Sequence, residues 1–199
     1  MTTYTAHVQE TKNDVESLGG NSYNLQLAKS VNSKSGPIFN VVHSSGVLAN
    51  SQGAKVTYGG IWQECNLGDS YDLDSYGAWM VKDNNLNAKP NALNMGKNGY
   101  IPVHVIVGIK TDNGDDSKWQ AIFVNPDKLL KNAHGEYEPT EKVLVWFEED
   151  DRTETIIDEQ GTYPKEGDMT DNHDIYYHYD IVGGAWSEQL TPYPWCDGS

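Results

Sequence analysis

The stretch from Tyr100 to Asn125 constrains the fold more than any other. Its first arm, residues 101–110, reads IPVHVIVGIK and puts Ile101, Val103, Val105, Val107 and Ile109 at period two. Side chains at that period share one face of a strand, so this face is predicted to be buried. The second arm, residues 118–124, carries Trp119, Ala121 and Phe123 on one side and Ile122 and Val124 on the other. Between the arms, Asp112 to Asp116 contains an Asn-Gly pair that supplies the positive φ angles of a tight reversal. The stretch is predicted to be a β-hairpin, and a chain built around it draws its core from strands.

The remaining sequence repeats the theme. Alternating or apolar runs at 24–28, 37–43, 53–58, 75–82, 143–147 and 174–182 are separated by Ser, Asn and Gly turns. The pattern predicts an all-β chain, an antiparallel β-sandwich or barrel-like single domain over residues 1–199 with one or two short helices. Residues 5–20 hold too few apolar positions for a strand, and Val8, Val15 and Leu18 share a rough helical stripe before Gly19-Gly20. Residues 1–22 are therefore expected to form a helical or extended arm. Asn125-Pro126 opens and Gly135 closes a run predicted to be helical. Residues 83–99 read as a long Asn-rich loop, and Thr153–Ile157 as the hairpin partner of Val143–Phe147. Two prolines make 191–199 an extended tail, with Trp195 expected to anchor it.

Charge removes whole classes of function. The 199-residue chain carries a formal net charge of −15, with one arginine, Arg152. No basic patch is visible that would neutralise nucleic-acid phosphates or draw the chain to an anionic membrane. No run approaches the roughly 20 apolar residues of a membrane helix, so no transmembrane segment is expected. The first residues lack the basic and apolar regions of a signal peptide, which predicts a cytoplasmic protein; a secreted chain restarted at a new Met would read the same. Cys65 and Cys196 are too few for a disulfide framework and are expected to be reduced.

Two places carry candidate binding chemistry. In the late strand, Asp174, Tyr176, His178 and Asp180 alternate with Ile175, Tyr177, Tyr179 and Ile181. One surface therefore gathers two carboxylates, an imidazole and a phenol, suited to gripping a polar ligand such as a sugar. It would hold a metal only if a neighbouring element added ligands. The bland alternative is a solvated outer face. In the hairpin, His104 lies opposite the Val/Ile face, and Gly108 leaves a gap that Trp119 or Phe123 can line, forming a small-molecule pocket. Otherwise His104 is simply hydrogen-bonded in a half-buried face. Three acidic knots, at 69–74, 112–116 and 148–151, lack the EF-hand order, so no metal is assigned and no cofactor is implied. No nucleophile elbow, zinc-protease helix, phosphate loop or dinucleotide fingerprint is present.

The segment Val182-Gly183-Gly184-Ala185-Trp186-Ser187-Glu188 resembles a Gly-Gly-x-Trp-Ser/Thr stretch of fungal fruit-body lectins, a cytosolic β-sandwich family. The likeness covers those few residues only, and it implies a lectin-like sugar binder. With 6 Trp and 12 Tyr against 3 Phe, rings with a polar tip dominate. The leading expectation is a non-enzymatic, lectin-like protein that binds a carbohydrate or other polar small molecule, with a homodimer allowed. Its alternatives are a chromoprotein-like carrier of a hydrophobic or coloured aromatic compound near His104 and Trp119, a membrane-active cytolysin, and a hydrolase using paired carboxylates.

Overall fold

A computed structural model describes residues 5–33, 36–45, 62–82, 85–111, 118–148, 157 and 162–196. In chain order these form β1 (Thr5–Val8), α1 (Lys12–Gly20), β2 (Asn24–Ser33), β3 (Gly36–Ile38), β4 (Val42–Ser45), β5 (Ser70–Leu73) and β6 (Trp79–Val81). They continue with β7 (Leu93–Asn98), β8 (Ile106–Thr111), β9 (Lys118–Val124), β10 (Gly135–Glu148), β11 (Lys165–Asp168), β12 (Asp174–Asp180) and β13 (Ala185–Gln189). One 3₁₀ turn, Pro194–Cys196, follows. The chain is all-β, as its alternation predicts. No helix among the described residues is long and apolar enough to cross a membrane.

The contacts fall into two compact units, residues 1–29, 41–55 and 141–199 in one and residues 30–40 and 56–140 in the other. In the first unit, β12 lies between β1, paired parallel through Val8–Tyr177, and β13, paired antiparallel through His178–Ser187. Residues 5–8 are thus a strand despite their weak pattern, because backbone pairing with β12 supplies what side-chain burial does not. Thr11 then caps α1, its hydroxyl oxygen accepting from the Asp14 amide. The partner of β10 over Val143–Val145 is β11, while most of the expected partner at 153–157 lies outside the described residues. Val143, Val145, Met169, Ile175 and Tyr177 make the core of this unit.

In the second unit, the predicted hairpin is present as β8 and β9. Its register shifts at Val107–Gly108, and its first arm starts at Ile106. The Asn40 side chain extends its edge, donating to the Val124 carbonyl and accepting from the Val124 amide. Two expectations fail here. The stretch read as a loop contains β7, which pairs parallel with β5 and antiparallel with the start of β10. The run from Asn125 to Gly135 is not a helix, because Leu129 exchanges both backbone bonds with Val103 (2.8 and 3.2 Å). The Leu129 carbonyl also accepts from the buried Asn98 side chain at 2.9 Å. Those groups are no longer available to a helical ladder. The run at 75–82 is likewise only partly strand. Asp74 accepts from the amides of Tyr76 and Ala78, turning β5 back into β6.

Candidate functional site

A cavity of about 700 Å³ opens in the second unit. Its walls come from β5 to β10 and from the segments that lead into them. Trp62, Tyr71, Tyr76, Trp79, Tyr100, Trp119 and Tyr137 contribute rings, and the run from Val103 to Ile109, which leads into and includes most of β8, contributes one edge. Gly108 is what lets the wall close: a Cβ there would lie 2.7 Å from the Trp62 ring. Trp62 occupies that gap and stacks on Trp119, centroids 5.9 Å apart at 26°. Phe123, by contrast, is fully buried in the core and does not line the cavity. At the other end of the pocket, Gly77 holds φ +85° in the β5–β6 turn, and Tyr100 packs where its side chain would begin.

The polar groups in this wall are few. His104 donates from Nδ1 to the Asn125 carbonyl at 2.8 Å, which leaves Nε2 as the ring nitrogen available to a guest. Asn94 is spent structurally, since its amide nitrogen reaches three backbone carbonyls and its oxygen accepts from Lys89. Among the described residues of the lining, Asp69 is the one carboxylate, and no Lys or Arg is present. Burial pushes the Cys65 thiol above its ordinary range, and Asp69 and Glu64 push it further. The free thiol of Cys65 is therefore held protonated and is a poor nucleophile.

The structure thus brings His104, Gly108 and Trp119 to one cavity. Trp62 was missed in the sequence. It follows the Gly59-Gly60 pair in the sequence, and nothing in the one-dimensional pattern ties it to Gly108 some 46 positions on.

The late-strand row lies in the first unit, and alternation there is as expected: Ile175 and Tyr177 are buried, while Asp174 and Asp180 are exposed. Each member of the row meets a partner within its own unit. Asp174 sits 3.2 Å from Nε2 of His7, whose ring stacks on Tyr176 at 4.3 Å and 9°. Asp180 accepts from the Val182 amide in the tight turn to β13. His178 donates from Nδ1 to Glu10 Oε2 at 2.8 Å, and Glu10 Oε1 accepts from the Tyr179 amide at 2.9 Å. The parallel β1–β12 register carries the chain past Tyr177 and brings Glu10 level with Tyr179. The Glu10 and His178 side chains are only 6% and 14% exposed. Burial raises the Glu10 carboxyl above its usual range, opposed by the Tyr179 amide and His178 and reinforced by Asp14.

The tail over this end is anchored by Tyr193 rather than Trp195. The Tyr193 amide donates to Gln9 Oε1, its hydroxyl bonds Ser187 Oγ at 2.8 Å, and its ring is buried. Trp195 remains 44% exposed.

The acidic knot at 69–74 separates into three structural tasks. Asp69 accepts from Asn66, Asp72 pairs with Lys82 at 3.5 Å, and Asp74 holds the β5–β6 turn. The knot at 112–116 and all of 148–151 but Glu148 lie outside the described residues. Comparison with known proteins brings no match: no family model, no curated protein and no solved structure is significantly similar to this chain.

Proposed function

We propose that the protein is a non-enzymatic binder of a small, flat, largely apolar molecule, taken into the cavity between the β8–β9 hairpin and β5–β7. The observation that carries this reading is the cavity's size and lining together. Its volume, about 700 Å³, falls within the ~300–1,000 Å³ usual for small-molecule sites. The stacked Trp62–Trp119 pair and five further Tyr and Trp rings line the space open to an aromatic or otherwise planar guest. His104 Nε2 provides a polar contact that fixes its orientation. Catalysis finds little support in this wall, because paired-carboxylate hydrolysis needs two carboxyl groups and the described lining has one.

Charge narrows the ligand class. A wall with Asp69 and no Lys or Arg among its described residues, in a chain of net charge −15, favours neutral or cationic guests over anionic ones. The test is a fluorescence titration with two polarity-sensitive aromatic dyes, one uncharged and one sulfonated. The uncharged dye should bind at one site and lose affinity in Trp119→Ala, while the sulfonated dye binds weakly. Equal binding of the uncharged dye to wild type and Trp119→Ala would place it elsewhere and sink the reading. A glycan array run alongside tests the carbohydrate alternative. A sugar whose binding depends on Asp174 or Tyr176, rather than on Trp119, would move the site to the late strand.

A further inference from the structure

We infer that Glu10, Asp14 and His178 together bind one divalent first-row transition-metal ion through two carboxylate oxygens and an imidazole nitrogen. One ligand atom from each lies within 4.8 Å of the others. Ligands held at about 2.1 Å from a single ion stand roughly 3 to 4 Å apart, so small side-chain rotations close the set. The mixed oxygen and nitrogen donors suit zinc, cobalt or manganese better than calcium, which prefers six to eight oxygens.

The backbone fixes the three donors independently of one another. His178 stands in the middle of β12, flanked by β1 and β13. Glu10 is pinned by the Tyr179 amide, and Asp14 sits in the first turn of α1, tied to Thr11 by hydrogen bonds. The His178 ring is packed edge-on by Tyr193 at 5.5 Å and Trp195 at 4.8 Å. Such packing orients an imidazole ligand and keeps water from it, as outer-shell partners do in metal sites.

Charge points the same way. Two carboxylates converge here, Glu10 nearly buried and Asp14 half-buried, and Lys12 turns to Glu16 on the next turn of α1. A dipositive ion offsets both. On binding, Nδ1 of His178 changes from donor to ligand: the ring's one proton is carried on Nε2 instead, and the ion takes the place of the proton between Nδ1 and Glu10.

The experiment uses the full chain, stripped with chelator and then titrated with Zn²⁺ by calorimetry and with Co²⁺ by visible absorption. One equivalent of each should bind, with a Co²⁺ ligand-field band. Asp14→Asn and Glu10→Gln should each weaken Zn²⁺ by at least the tenfold or so that even outer-shell losses bring. A readout on wild type keeps the inference testable if a variant misfolds. Mn²⁺ at one equivalent should broaden the indole N–H signal of Trp195, whose ring packs 4.8 Å from that of His178. Several weak equivalents, no Co²⁺ band, or a Trp195 signal that stays sharp would mean diffuse attraction to an acidic surface and would overturn the inference. None of these outcomes depends on the small-molecule cavity.

Discussion

The two units use the same aromatic residues to opposite ends. In the first, rings close on rings: Phe147 stacks on Trp186 at 5.3 Å and 7°, Tyr179 tilts against both, and Tyr193 stacks on Trp195 at 4.7 Å. In the second, the Trp62–Trp119 pair and its neighbours stand around about 700 Å³ of space. Aromatic abundance alone therefore does not mark a binding site. What matters is whether the packed rings leave space beside them, and in the second unit Gly108 admits the Trp62 ring while the cavity it lines stays open.

That contrast can be broken by substitution. Phe147→Ala should remove a partner of both Trp186 and Tyr179 and lower stability by ~3–5 kcal/mol without touching dye affinity, as read by urea unfolding. Gly167→Ala comes next. A Cβ there would collide with the Tyr177 hydroxyl, whose ring is fully buried, so overpacking should cost ~1–3 kcal/mol. Adding Tyr177→Phe should recover part of that loss, because the hydroxyl is the closest obstacle and has no hydrogen-bond partner among the described residues. Trp119→Ala should show the reverse of Phe147→Ala. Dye affinity should fall about tenfold, equivalent to ~1.4 kcal/mol, while urea unfolding changes far less.

The smallest effect is in alkaline titration. Burial pushes the phenols of Tyr177, in the first unit, and Tyr137, in the second, from 10 up to about 12. Folding holds both neutral, so their contribution to stability is whole below pH 10 and is lost as pH rises through 12. Phenolate absorbance should show at least two late-titrating tyrosines, and Tyr177→Phe should remove one. Early titration of all twelve would contradict the burial of both.

The sequence pattern made the hairpin and the late strand legible because both obey period two. It hid β7, whose strand character rests on buried amides: Asn94 and Asn98 satisfy backbone groups with their side chains, and polar residues in a core read as loop. It suggested a helix at 125–135 from cap and stop residues alone, where the long-range Val103–Leu129 bridge takes the backbone bonds instead. Gly108 and Trp119 were readable as a pocket edge because they sit on paired arms, with His104 just ahead of the first. Trp62, and the meeting of Glu10 with His178 across 168 positions, depend on tertiary pairing that local pattern cannot carry.

The most direct measurement follows the six tryptophan indole N–H signals while the uncharged dye is added. Saturating dye should shift Trp62, Trp79 and Trp119 together and leave Trp146, Trp186 and Trp195 in place. Shifts confined to the second set, or binding that moves none of the first, would contradict a small-molecule site in the hairpin cavity.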